Sequence, residues 1–262
     1  MLAARPLPAL ADNYIWLIED GQGRAVVADP GEAAPVIAAL DEHGLELTSI
    51  LVTHHHVDHV GGIPDLLLHC AGVPVYGPHE SPAACVTKPL VAGALVDVLG
   101  VQARVMKVPG HTLDHIAYFI AGTANMAPLL FCGDVLFGAG CGRIFEGDAP
   151  MMHASLQRLA ALPAETRVFC AHEYTISNLD FALVVEPGNA ALQQRSETDR
   201  AARHRGMPTL PTTLAVELAT NPFLRGSVDA VRAAAVAYTG GELVDESEVF
   251  AAIRSWKDVF RG

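Results

Sequence analysis

The stretch Thr53-His54-His55-His56-Val57-Asp58-His59 constrains this chain more than any other. It follows Ser49-Ile50-Leu51-Val52 and precedes Gly61-Gly62, so a polar cluster begins where a short buried strand stops. In extended backbone alternate side chains share a face, which puts His54 and His56 together and sends His55 the other way. A bend into a helical start then turns Asp58 and His59 away from each other and from the first pair. One short loop can thus address two metal ions. Imidazole and carboxylate suit zinc, iron or manganese, and adjacent ions need ligands that splay rather than converge. The competing reading is a surface histidine tract, but such tracts lack the preceding apolar strand and the interposed aspartate.

The strand-then-ligand pattern recurs down the first two thirds of the chain. Residues 14–18 and 25–29 are apolar runs split by Gly21-Gln22-Gly23, a hairpin signal, and residues 32–43 carry apolar side chains at helical spacing with Gly44 as C-cap. Further short strands are read at 73–76, 103–108, 116–120, 129–132 and 167–171, with a helix over 150–162. His111, Asp134 and His172 each follow one of these apolar runs. Any one of them alone reads as a loop residue, but their recurrence after strands points to a common sheet edge. His43, His69, His79, His115, His153 and His204 lack that setting and read as structural or solvated.

After Tyr174 the pattern becomes helix only, over 178–186, 190–205, 214–218, 228–238 and 246–260, punctuated by Pro187-Gly188, Gly206-Met207-Pro208, Asn221-Pro222 and Gly240-Gly241. A boundary near residue 175 separates domain 1–174 from domain 175–262. The last helix opens with Asp245 as N-cap and an acid three residues on, and turns Val249, Phe250, Ile253, Trp256 and Phe260 inward.

Composition excludes several function classes. At 262 residues and 51% hydrophobic content the chain has ample apolar matter for a core. A formal charge of −12 argues against a general nucleic-acid or anionic-membrane binder, and leaves room for a local basic patch. The longest apolar run, 86–101, is broken by Lys88, Pro89, Gly93 and Asp97, and residues 1–13 contain no apolar segment of signal-peptide length. Five cysteines without a Cys-X-X-Cys read as reduced thiols. The expectation is a cytoplasmic monomer that binds neither nucleic acid nor membrane.

The loop around His54 resembles the signature of the metallo-β-lactamase fold superfamily. That resemblance implies an α+β fold, an αββα sandwich of two mixed β-sheets flanked by helices, here followed by an α-helical C-terminal domain. It implies two divalent metal ions, zinc first with iron or manganese as alternatives. It assigns His54, His56 and His111 to one ion, Asp58, His59 and His172 to the other, and Asp134 as the bridge. A hydroxide held between the two ions, with Asp58 and Asp134 as the catalytic carboxylates, would be the nucleophile.

Outside the loop the resemblance narrows. Residues 140–147, Ala171-His172-Glu173-Tyr174-Thr175, Glu186-Pro187-Gly188-Asn189, Asn221-Pro222-Phe223-Leu224-Arg225 and Arg254-Ser255-Trp256-Lys257 are similar to the glyoxalase II, or hydroxyacylglutathione hydrolase, family, nearly end to end. The implied reaction is hydrolysis of S-(2-hydroxyacyl)glutathione thioesters, typically S-D-lactoylglutathione to D-lactate and glutathione, the second step of methylglyoxal detoxification. The implied substrate contacts are Arg143, Tyr174, Arg254 and Lys257. Residues alone read Arg254 and Lys257 as a solvated helix face, and Tyr174 equally as core packing. Some family members carry Lys and Tyr where Arg143 and Phe145 stand, and Phe145 lacks the hydroxyl for a polar contact. Competing readings are a glutathione persulfide dioxygenase, another hydrolase of the fold, and a non-enzymatic, metal-stabilised binding module.

Overall fold

The computed structural model describes residues 2–261. Its chain divides into two compact units, one of Met1–Lys107 and Asp114–Gly133, the other of Val108–Leu113 and Asp134–Gly262.

The first unit is built on a six-stranded sheet in the order β1 (Ala3–Ala9), β2 (Asn13–Glu19), β3 (Arg24–Ala28), β4 (Glu46–Leu51), β5 (Val75–Pro78), β6 (Lys88–Leu90). β1, β2 and β3 pair antiparallel and β3 to β6 pair parallel, making a mixed sheet. The sequence pattern does not reveal β1, because Pro6 and Pro8 interrupt it. It is an edge strand, and an edge is where a strand tolerates proline. The crossover from β3 to β4 is α1 (Ala34–His43), which ends at Gly44 in the left-handed conformation, as the sequence predicts. α2 (Val57–Val60) and α3 (Ile63–His69) follow β4. Val36, Leu40, Ile63 and Leu66 from α1 and α3 pack with Ile15, Leu17, Val27 and Ile50 of the sheet in one apolar cluster.

The same unit contains β7 (Leu95–Val98), β8 (Val101–Lys107), β9 (Ile116–Ile120) and β10 (Leu129–Gly133), successive antiparallel neighbours. Every residue of β9 and β10 is buried, so neither shows the alternation of a half-solvated strand. The fully buried Tyr118 of β9 donates its hydroxyl to the Val52 carbonyl just beyond β4, at 2.8 Å, which satisfies a polar group that burial would otherwise penalise. Burial also pushes the Tyr118 phenol well above its usual range.

The second unit contains the hairpin β11 (Leu136–Phe137) and β12 (Gly140–Cys141), α4 (Ala149–Ala160), β13 (Arg167–Cys170) and α5 (Thr175–Val185). Then come α6 (Ala190–His204), β14 (Thr212–Thr213), α7 (Leu214–Thr220), a 3-10 turn at Pro222–Leu224, α8 (Asp229–Thr239) and α9 (Glu246–Val259). The reading of residues after Tyr174 as helix only is corrected by β14, which pairs antiparallel with β13 over two residues, too short a run to leave a period. Asp148, Asn189, Thr213 and Asp245 cap their helices by accepting a backbone N–H. The predicted cap at Asp245 is present at 2.9 Å from the Glu248 nitrogen. Val249, Phe250 and Ile253 are buried as predicted, and Trp256 and Phe260 half-buried.

Motifs read as family markers prove to be fasteners within this unit. Glu186 grips Arg225 with both carboxylate oxygens, at 2.7 and 2.8 Å. The Asn221 amide reaches the Gly140 carbonyl at 2.9 Å, tying α7 to the hairpin. Among the described residues none of the five cysteines forms a disulfide, and three are buried and two partly so. Among the described residues no helix is long and apolar enough to cross a membrane.

Candidate metal centre and substrate loop

In the first unit, Val52 leaves the end of β4 and the chain turns through Thr53 into α2, so His54 and His56 sit on the turn and Asp58 and His59 in the helix. Asp29, at the end of β3, takes a left-handed φ of 53° and accepts from both the Thr53 N–H and the Thr53 hydroxyl, each at 2.8 Å. With its proton given to Asp29, the Thr53 oxygen accepts from His54 Nδ1 at 3.1 Å, which assigns that nitrogen the hydrogen and leaves the in-plane lone pair on Nε2. Asp29 also lies 3.2 Å from His59 Nδ1, so one buried carboxylate sits beside one imidazole and reaches a second through Thr53. Asn13 donates to Asp58 Oδ2 at 3.1 Å.

The rings of His54 and His56 are 4.7 Å apart, and those of His54 and His59 4.0 Å. His54 and His56, His54 and His59, and Asp58 and His59 each bring ligand atoms within 4.8 Å of one another. His55 turns the other way, as alternation predicts, and meets Asp114 at 3.0 Å. His115, read as structural or solvated, is structural: it is fully buried and stacked on His54 at 4.6 Å. Gly31 passes so close to this loop that a Cβ there would fall 1.9 Å from the Asp58 carbonyl oxygen. Only glycine fits beside it.

The second unit carries its own cluster. His111 Nε2 and His172 Nε2 both lie 3.4 Å from the same oxygen, Asp134 Oδ2. The other nitrogen of His111 donates to the Arg143 carbonyl at 2.7 Å, again directing Nε2 to the ligand side. That bond joins a ligand candidate to the loop 140–147. Gly142 is needed there, since a Cβ would sit 1.9 Å from the Asp134 carbonyl oxygen.

The substrate candidates lie in the same unit. Tyr174 stacks flat on His172, with centroids 4.7 Å apart and planes at 5°, and is 37% exposed, so it is not core packing. Phe145 is 61% exposed and touches His111 edge-on at 5.3 Å, an apolar contact that needs no hydroxyl. Arg143 is exposed. Arg254 is 6% exposed and not on a solvated face. It lies over the Phe223 ring and donates to the Cys141 carbonyl and to Asp258, each at 3.0 Å. Lys257 packs over Phe181 and Phe260 and donates to the Ser177 carbonyl at 2.9 Å. Burial, and then the Arg254 charge, lower its pKa to about 8.

Sequence reasoning missed the group that holds this loop from behind. Glu217 of α7 is fully buried and accepts from Arg195 at 2.7 Å, from the Ala139 N–H at 2.9 Å and from Asn221 at 3.0 Å. Nothing local marks it, because its partners lie 22 and 78 positions away and four positions along its own helix end.

The metallo-beta-lactamase superfamily model matches residues 11–172, and the hydroxyacylglutathione hydrolase C-terminus model matches residues 173–260. A hydroxyacylglutathione hydrolase of Aliivibrio salmonicida is 50% identical over 262 residues, covering 99% of this chain and 100% of that one. The chain belongs to the hydroxyacylglutathione hydrolase family. A second hydroxyacylglutathione hydrolase, from Xanthomonas campestris pv. campestris, is 48% identical over 97% of this chain and 98% of its own. Among solved structures, TTHA1623 in a di-iron-bound form is 28% identical with a TM-score of 0.59, covering 84% of this chain and 100% of that one. The fold is that of the metallo-β-lactamase superfamily, with a helical C-terminal region, and its His and Asp clusters mark a divalent-metal protein.

Proposed function

We propose that this chain hydrolyses S-(2-hydroxyacyl)glutathione thioesters, S-D-lactoylglutathione above all, as a cytoplasmic monomer that detoxifies methylglyoxal in its second step. The reading rests on near-complete alignment, at about half identity, with hydroxyacylglutathione hydrolases. The two family models adjoin at residues 172 and 173, which supports division into a catalytic domain, 1–174, and a thioester-binding helical domain, 175–262.

His54, His56 and His111 would hold one divalent ion, Asp58, His59 and His172 the second, and Asp134 both. The donor set fits: imidazole and carboxylate suit zinc, iron and manganese, and the relative with a di-iron form has the same fold. Zinc is the first choice. Ions bound there supply a Lewis acid for the thioester carbonyl and lower the pKa of water toward neutrality. The chain's own part is orientation. Thr53 and the Arg143 carbonyl fix the tautomers of His54 and His111, Asn13 holds Asp58, and Asp134 Oδ2 spans His111 and His172.

Arg143, Arg254 and Lys257 would draw the carboxylates of glutathione to a local basic cluster in an acidic protein, and Tyr174 would contact the glutathione moiety. The leaving thiol, with a pKa of about 8.5, departs as thiolate without a strong proton donor. Loss of thioester absorbance with S-D-lactoylglutathione tests the reading. His54→Ala and Asp134→Ala should each abolish most of it. Activity surviving both, or oxygen uptake with glutathione persulfide in place of hydrolysis, would sink the proposal.

A further inference from the structure

One carboxylate in the second unit already occupies the basic cluster. Asp258, on the last turn of α9, places Oδ1 3.0 Å from the terminal nitrogen of Arg254 and 3.6 Å from Nε of Arg143. The two guanidinium groups come from different segments, α9 and the loop 140–147, and converge on a single oxygen. Two planar donors meeting one carboxylate is how a protein recognises a carboxylate ligand. Arg254 is fixed on its other side by the Cys141 carbonyl and the Phe223 ring. Among the described residues no comparable contact anchors the Arg143 side chain, which is 61% exposed and has Asp258, at 40%, as its ion-pair partner.

We infer that Asp258 is a specificity-determining residue that masks the Arg143 guanidinium as an internal stand-in for a substrate carboxylate. This rests on the reading of Arg143 and Arg254 as contacts for a glutathione thioester. An incoming ligand must displace the Asp258 carboxylate from Arg143, so ligands without a well-placed anionic group gain nothing there. After cleavage the internal pair re-forms and opposes retention of the glutathione product. An exposed pair of this kind is weak enough to open, yet strong enough to alter affinity by about 1.5- to 5-fold. The mask also takes one positive charge off the cluster of Arg143, Arg254 and Lys257, which reduces long-range attraction of anions.

The test is steady-state hydrolysis of S-D-lactoylglutathione by the metal-loaded full chain and its Asp258→Asn, Arg143→Ala and doubly substituted variants, over a range of salt. The Asp258→Asn change keeps an acceptor for Arg254 while dropping the charge, and thermal unfolding checks that each variant is folded. KM of Asp258→Asn should fall about 1.5- to 5-fold, kcat/KM should rise, and both should depend more steeply on salt than in the unsubstituted chain. Glutathione should inhibit this variant more strongly as product. In the Arg143→Ala background the Asp258 effect on KM should shrink to what its pairing with Arg254 leaves. If Arg143→Ala raises KM but Asp258→Asn raises it too, or leaves kcat/KM unchanged or lower, Asp258 supports the arginines and the masking idea is overturned. If Arg143→Ala leaves KM unaltered, the arginine reading itself fails and takes the mask with it. Hydrolysis that continues in that case leaves the metal-site reading standing.

Discussion

Replacing Glu217 with alanine should unfold the chain earlier than any exposed substitution, because this side chain joins three segments of the second unit from a fully buried position. Its Oε1 takes the Arg195 hydrogen bond at 2.7 Å, and its Oε2 takes the Ala139 N–H at 2.9 Å and the Asn221 amide at 3.0 Å. Arg195 is itself 8% exposed. Burial lowers its pKa, but Glu217 and then Asp199 raise it more, so the net shift is upward and the guanidinium stays charged. Removing one member of a buried ion pair costs about 3–5 kcal/mol when the remaining charge is left uncompensated, and because Arg195 keeps Asp199 at 3.2 Å the loss falls at the lower end of that range. The Ala139 N–H adds to this, as a buried donor without its acceptor costs about 1–3 kcal/mol. Ala139 already has a left-handed φ of 55°, so the turn it occupies depends on such contacts.

For a chain of this size each kcal/mol moves Tm by about 2–4 °C, so Glu217→Ala should lower Tm by about 10 °C or more. Glu217→Gln retains one acceptor for the Ala139 N–H but turns an amide donor toward Arg195 or Asn221, and should lose about 1–3 kcal/mol. Circular dichroism during heating reads both. KM for the thioester should rise as well, because Ala139 leads directly into Gly140-Cys141-Gly142-Arg143. A Glu217→Ala variant melting within about 3 °C of the unsubstituted chain would refute the claim that this buried pair supports the substrate loop.

Two further outcomes follow from titrating groups. Lys257, with a pKa of about 8, loses its charge as pH rises through that value, so KM for the anionic thioester should climb between pH 7 and 9. Lys257→Arg should flatten that climb, and an unchanged slope would separate Lys257 from binding. The same depressed pKa means that the unfolded chain holds more protons between about pH 8 and 10.5, so this residue's contribution to stability rises with pH across that window. For Glu186, burial raises the carboxyl pKa, but the Arg225 and Asn189 hydrogen bonds lower it more. Its stabilisation is present above the ordinary carboxylate range and lost as pH falls through the lowered value. Arg225→Gln should therefore move the acid-unfolding midpoint upward, and an unmoved midpoint would show that the pair contributes nothing.

The parts of the fold legible in the sequence are those with a continuous apolar run or a helical period. β2, β3, β8, β9 and β10 appear as apolar runs, and His54, His111, Asp134 and His172 come within a few residues after such runs. The alternation of His54, His55 and His56 is likewise readable, since extended backbone dictates it. What stays hidden depends on partners far along the chain. Asp29 looks like the end of a strand, but its carboxylate holds Thr53 and lies beside His59. Arg254 reads from residues alone as a solvated side chain, because helical spacing cannot show that Phe223 and the Cys141 carbonyl wait on that side. β1 is concealed by its prolines, and β14 by its length of two residues.

The central claim is that two ligand clusters, His54, His56, Asp58 and His59 on one hand and His111, Asp134 and His172 on the other, serve one pair of divalent ions. Titration of chelator-stripped protein with zinc, following both bound metal and S-D-lactoylglutathione hydrolysis, tests it most directly. The account predicts that binding saturates at two ions per chain with hydrolysis restored, and that Asp134→Ala weakens binding at both sites. Saturation at a single ion in the unsubstituted chain, or full binding at both sites in Asp134→Ala, would contradict it.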